Sequence, residues 1–162
     1  MILLIECLIG IVAFSLIVVP MDLKNPLGVI SDYPPAIRKK CEELGLVEKS
    51  EKRFTAKDLV RKALAIIVLV VVAVFVMIKV NHAETFWQGF FYTFIVWLSI
   101  TWFDALVLDC IWFCHSKRMR IRGTENMKEY HDYWFHIKQS LIGTLLGIPS
   151  CAVVGLFVAF AA

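Results

Sequence analysis

The chain has 162 residues, a net charge of +3 and a hydrophobic content of 59%. Its apolar residues are gathered into four blocks and do not recur with a single helical or strand period, which excludes an ordinary soluble domain. A hydrocarbon core of about 30 Å needs about 20 apolar helical residues to cross it. We therefore predict an all-α, polytopic membrane protein in which four transmembrane helices form a single domain.

The four apolar blocks cover residues 2–19, 63–78, 86–114 and 141–161. The second block consists almost entirely of Val, Ile, Leu and Ala, which indicates a helix that faces lipid or serves as a scaffold. The third block is longer than one perpendicular crossing requires, so we expect it to tilt or to extend into the interface.

Lysine and arginine are distributed very unequally among the loops. Residues 21–62 contain ten of them, residues 115–138 contain six, and the turn between the second and third blocks contains only Lys79. Basic loops remain on the cytoplasmic side of a membrane. The sequence therefore predicts cytoplasmic loops at about 21–62 and 115–138, with both termini outside a plasma or inner membrane.

Short helices are predicted in both cytoplasmic loops. Pro20 should end the first helix, and prolines after Tyr33 should start an amphipathic helix with Ile37, Cys41 and Leu44 on one side. Residues 55–58 resemble a capping box at the start of the second crossing. Thr124 should cap a helix that runs through residue 137 into the fourth crossing.

Two carboxylates lie within the third apolar block, at Asp104 and Asp109. A central aspartate costs about 2.5 to 3.5 kcal/mol in a membrane, so such residues usually face the protein interior or water and have a function. On an α-helix these two residues are about 140° apart and should not form a close pair. Asp104 and His115 instead fall on one side, which predicts a polar stripe lining a cavity open to the cytoplasm.

Further polar residues follow this stripe toward the fourth block. Asp132 and His136 are four residues apart and predict a carboxylate–imidazole pair on one helix. The candidates for binding a ligand or a proton are Asp104, Asp109, His115, Glu125, His131, Asp132 and His136. A divalent metal is the cofactor that such donors would suit. The candidate metal ligands are Asp104, Asp109, His115 and His136.

A basic cluster begins directly after His115. Four basic residues within six positions attract anionic lipid at a cytoplasmic surface, by about 1 kcal/mol for each residue. They are alternatively an orientation anchor or a site for a phosphate group or lipid head. These candidates are Lys117, Arg118, Arg120 and Arg122.

The fourth block carries small residues at strict four-residue spacing. A stripe of this kind permits the close approach of membrane helices, either within one chain or between the two chains of a homodimer. The residues concerned are Gly143, Gly147, Cys151 and Gly155.

The sequence leaves three functions open, and it contains no nucleotide-binding loop, nucleophile elbow or paired zinc-ligand motif. The first is binding or transport of a cation, proton or small solute in an acidic, histidine-lined cavity. The second is a membrane-embedded, metal-dependent enzyme that acts on a phosphate-bearing or lipid substrate. The third is an accessory subunit without chemistry of its own. No nucleic-acid partner is expected.

Overall fold

The computed structural model describes residues 1–47 and 56–161, without the side chains of residues 56–59 and 62. Every regular element in this part of the chain is helical, which confirms the all-α prediction. The α-helices are α1 (Ile2–Lys24), α2 (Pro35–Glu43), α3 (Ala56–Lys79), α4 (Phe86–Phe103) and α5 (Tyr133–Ala161). The predicted capping box at residues 55–58 lies outside the described side chains.

Three helical segments are long and apolar enough to cross a membrane. They are α1, the continuous segment Phe86–Phe113 and α5. The apolar part of α3, Ala63–Lys79, is a shorter helix. Its side chains from residue 63 to residue 69 are all exposed, as expected for a helix that faces lipid. The chain is therefore an all-α membrane protein.

Two predicted helix boundaries are wrong. α1 continues through Pro20 to Lys24, because an internal proline removes only one backbone hydrogen bond while the remaining bonds of the helix persist. Thr124 does not cap a helix that leads into the fourth block. α5 begins at Tyr133, and the carboxylate of Asp132 accepts the Phe135 N–H at 3.0 Å in the manner of a helix cap.

The chain divides into two compact units. The first contains Met1–Gly10, Lys52–Ile100 and Ile142–Ala162, and the second contains Ile11–Glu51 and Thr101–Leu141. Their packing differs in kind, because the first unit is built from apolar helices whereas the second is built largely from loops and short helices around aromatic rings.

In the first unit, the small residues of α5 pack against α4. A Cβ added to Gly147 would overlap Nε1 of Trp97, and one added to Gly155 would lie 2.7 Å from the carbonyl oxygen of Phe86. Trp97 Nε1 also donates to the carbonyl of Gly143 at 3.2 Å. Gly143, Gly147 and Gly155 of the predicted small-residue stripe thus contact α4 within the chain.

In the second unit, a buried aromatic core holds the loops together. The rings of Tyr33 and Phe113 meet edge to face with centroids 4.8 Å apart, and Tyr130 lies 6.0 Å from Tyr33. Ile37 and Cys41 of α2 are fully buried in the same core. The amphipathic helix predicted after Tyr33 is therefore confirmed, although Leu44 is exposed.

The third apolar block changes its helical form partway along. α4 ends at Phe103, and residues Asp104–Phe113 continue as a π-helix, in which hydrogen bonds join residues five apart. The N–H of Cys114, for example, donates to the carbonyl of Asp109. Residues five apart consequently lie near one face. The predicted 140° separation of Asp104 and Asp109 is wrong, because it assumed α-helical spacing.

Candidate functional site

Four aspartates of the second unit form an electrostatically connected group. Asp22 lies in the last turns of α1, Asp32 lies in the short 3-10 segment Pro26–Asp32, and Asp104 and Asp109 lie on the π-helix. The charge of Asp104 interacts with those of the other three aspartates and with His136. The π-helix therefore carries two of the four carboxylates whose charges interact.

The imidazole of His136 is the basic partner of this group. Its Nδ1 lies 3.2 Å from Oδ2 of Asp109, and the residue is only 2% exposed. Phe113 and Phe135 pack their rings against the imidazole with centroids 5.4 and 5.3 Å away. The opposite nitrogen, Nε2, is shielded from solvent and has no hydrogen-bond partner among the residues that the structure describes. One side of the imidazole is therefore paired and the other is not.

The pKa of the Asp32 carboxyl is affected by the other charges of the group. Although this residue is exposed at the surface, the protein around its carboxyl removes enough water for desolvation to raise its pKa. The negative charge of Asp109 raises the pKa further. A hydrogen bond from the Ser31 hydroxyl at 3.2 Å and the charge of His136 act in the opposite direction. Negative charge is thus disfavoured at this site.

His115 and His131 belong to a separate group. Their ring centroids are 5.3 Å apart, and the ring of Tyr133 stacks on His115. His115 Nδ1 lies 2.9 Å from the carbonyl oxygen of Ile111, and Nε2 lies 3.3 Å from the Tyr133 hydroxyl. The structure therefore places these two candidates with an exposed tyrosine, and it pairs His136 with Asp109.

Glu125 and Asp132 have local roles in the backbone. Glu125 Oε2 accepts the N–H of Gly123 at 2.8 Å, where Gly123 adopts a positive φ of 87° that favours glycine. The carboxylate of Asp132 caps α5. The predicted Asp132–His136 pair is wrong, because α5 begins after Asp132 and His136 contacts Asp109.

The basic cluster divides into inward and outward residues. Lys117, Arg118 and Arg122 are exposed. Arg120 instead donates from Nη2 to the carbonyl of Cys114 at 2.6 Å and lies over the ring of Tyr130. Within residues 1–47 and 56–161, the buried Nη1 of Arg120 has no hydrogen-bond partner. Arg120 is thus a packing residue of the loop, in contrast to its three neighbours.

The predicted metal candidates do not form one chelating group. Within residues 1–47 and 56–161, no three His, Cys, Asp or Glu side chains lie close enough together to hold a metal ion. Of the four candidates, Asp104, Asp109 and His136 share the acidic group, whereas His115 lies with His131.

Sequence reasoning missed Asp22 and Asp32. The expectation that Pro20 ends α1 placed Asp22 in a loop. The helix instead continues through Pro20, so Asp22 lies in its last turns. Asp32 lies outside the apolar blocks, so nothing in the sequence marked it as part of a site. Its position beside the π-helix depends on the fold around Tyr33, for which the sequence contains no local signal.

Comparisons with family models, curated proteins and solved structures found no match to this chain.

Proposed function

We propose that this chain crosses the membrane four times with both long loops in the cytoplasm, and that it binds a proton at the Asp109–His136 pair as part of transport across the membrane. The unequal distribution of basic residues supports the orientation. Carboxylate and histidine side chains inside membrane segments are typical of proton relays in pumps and transporters.

The observation that carries the proposal is the unpartnered Nε2 of the buried His136. A buried polar nitrogen without a partner is costly, and native proteins rarely keep one without a reason. With a hydrogen on Nδ1 directed at Asp109, the lone pair of Nε2 is free to accept a proton. The atom is shielded from solvent, so a proton fits there whereas a hydrated ion needs additional room.

A protonated imidazole at His136 would interact with several carboxylates. Its positive charge would face Asp109 at 3.2 Å and would also be attracted by Asp104 and Asp32. Asp22 interacts with Asp32 and Asp109 and so adds to the negative charge of the group. A single added proton therefore compensates carboxylates that are expensive to keep charged in an apolar surrounding.

Proton binding can be measured directly by nitrogen NMR on ¹⁵N-histidine. The chain has four histidines, and replacing the other three by asparagine leaves the signal of His136 alone. We expect its nitrogen shifts to change from neutral imidazole to imidazolium as protons are added, and the shifts of Nδ1 to differ in Asp109→Asn, which lacks the carboxylate paired with that nitrogen. Shifts that stay constant from pH 4 to pH 9 would refute the site.

Transport is tested in proteoliposomes that contain a pH-sensitive dye and carry a potassium diffusion potential. We expect the protein to acidify the lumen, and His136→Asn and Asp109→Asn to reduce the rate at least tenfold. Glu129→Gln removes an exposed carboxylate outside the acidic group and should keep the rate of the unmodified chain. Equal rates in His136→Asn and the unmodified chain would refute transport through this site.

A further inference from the structure

The loop that carries the basic cluster is fixed in place from both sides. The hydroxyl of Tyr33 donates to the carbonyl of Met119 at 2.9 Å, and the N–H of Ile121 donates to the hydroxyl of Tyr130 at 2.9 Å. Thr124 Oγ1 lies 2.7 Å from the same Tyr130 hydroxyl. Met119 and Ile121 are themselves buried. The backbone of residues 119–121 is therefore held by the aromatic core.

This anchoring determines which basic side chains point outward. Because Met119, Arg120 and Ile121 face the core, the charged ends of Lys117, Arg118 and Arg122 are left on the exposed side of the loop. Holding the loop in advance lowers the entropy lost when these side chains bind a ligand. We call these three residues the basic loop surface.

Two exposed aromatic residues place the basic loop surface near the ends of membrane helices. Tyr133 and Trp134 begin the candidate span α5, with 40% and 60% of their surfaces exposed. Exposed tyrosine and tryptophan at helix ends are typical of the headgroup level of a bilayer. His115 stacks on Tyr133 two residues before Lys117, and the preceding candidate span ends at Phe113.

We propose that the basic loop surface binds the phosphate groups of anionic phospholipids in the adjacent leaflet. Lysine and arginine donate to phosphate oxygens with charge-assisted hydrogen bonds. A lipid is the expected source of the phosphate because the exposed rings place the loop beside lipid headgroups. Arg120 acts as a positioning residue, since its guanidinium is occupied by Cys114 and Tyr130. This site is independent of the proposed proton site.

The test compares lipids retained by the purified protein in native mass spectrometry, after reconstitution with equal amounts of phosphatidylglycerol and phosphatidylcholine. We expect the unmodified chain to retain phosphatidylglycerol preferentially. Replacing one outward residue, as in Arg122→Gln, should lower that preference about fivefold. The triple variant Lys117→Gln/Arg118→Gln/Arg122→Gln should abolish it while circular dichroism shows unchanged helix content.

A matched control separates this surface from net charge. Arg38→Gln/Lys39→Gln/Lys40→Gln removes three exposed positive charges from α2 and should keep the lipid preference. An equal loss in both triple variants would overturn the proposal, because only overall charge would then matter. Displacement of phosphatidylglycerol by inorganic phosphate at the same concentration would also overturn it, since the site would then recognise free phosphate.

Discussion

The guanidinium carbon of Arg120 lies 3.9 Å from the centre of the Tyr130 ring. The same guanidinium donates to the carbonyl of Cys114, the residue that follows the π-helix. A cation near the C-terminal end of a helix interacts favourably with the carbonyl groups that have no partner in the helix. Arg120 therefore connects the end of the π-helix to the aromatic core of the second unit.

Arg120→Lys should lower the stability of the protein by about 1 to 3 kcal/mol. Lysine keeps the charge, but it lacks the planar group that stacks on Tyr130 and donates to Cys114 at the same time. Thermal unfolding in detergent, followed by tryptophan fluorescence, measures the change. Arg122→Lys alters an exposed residue and should leave the unfolding temperature unchanged. Equal unfolding temperatures for the two variants would contradict the structural role of Arg120.

Gly147→Ala should destabilise the first unit by about 1 to 3 kcal/mol. The added Cβ would overlap Trp97 Nε1, so the indole must move and lose its hydrogen bond to the carbonyl of Gly143. The change is again measured as a lowered unfolding temperature. In a Trp97→Leu background the same substitution should cost much less, because the clashing ring is absent. Additive effects of the two substitutions would show that the contact is unimportant.

Three membrane helices were predictable from the sequence because apolar length acts over whole segments. The apolar block at residues 86–114 was placed almost to the residue, since Phe86–Phe113 is continuously helical. α2 was predicted from Pro34, Pro35 and the spacing of Ile37 and Cys41. These features depend on local rules of helix initiation and amphipathic spacing.

The candidate site could be predicted only in part. Asp104 and Asp109 were identified because charged residues inside apolar blocks are rare, and His136 was identified by its spacing from Asp132. The placement of Asp104 and Asp109 near one face was not predicted. The π-helix changes the angle between successive residues, and no local sequence signal marked its start at Asp104. The contact of His136 with Asp109 is a tertiary interaction between residues 27 positions apart, so helical spacing could not reveal it.

Asp32→Asn should raise the unfolding temperature at neutral pH. The pKa of Asp32 is raised in the folded protein, so folding favours the protonated carboxyl. This contribution to stability is fully present below the unfolded pKa of about 3.9 and is lost as pH rises through the folded pKa. Asparagine is neutral at every pH. The difference in unfolding temperature between Asp32→Asn and the unmodified chain should therefore grow as pH rises and disappear at low pH.

Unfolding temperatures from pH 3 to pH 8 measure this dependence. Glu129→Gln provides the control, because its exposed carboxylate lies outside the acidic group. Its difference from the unmodified chain should vary little with pH. A constant difference for Asp32→Asn, or a variant less stable than the unmodified chain at neutral pH, would contradict the electrostatic role of Asp32.

Glu6 and Asn81 provide a test of polar pairing in the first unit. Asn81 Nδ2 donates to Glu6 Oε1 at 2.7 Å, and the other carboxylate oxygen, Oε2, is buried without a hydrogen-bond partner in the described part of the chain. Glu6 lies in α1, whereas Asn81 follows the end of α3. This hydrogen bond therefore joins two helical segments that are far apart in the sequence.

Glu6→Ala and Asn81→Ala should each lower the stability, and the double variant should lower it by less than their sum. We expect a coupling of about 1.5 to 3 kcal/mol, the usual contribution of a hydrogen bond to a charged group. Unfolding temperatures of the four proteins complete the cycle. Glu6→Gln keeps an oxygen that accepts from Asn81 and should be more stable than Glu6→Ala. Strictly additive losses would mean that the two side chains do not interact, because removing either would leave the contribution of the other unchanged.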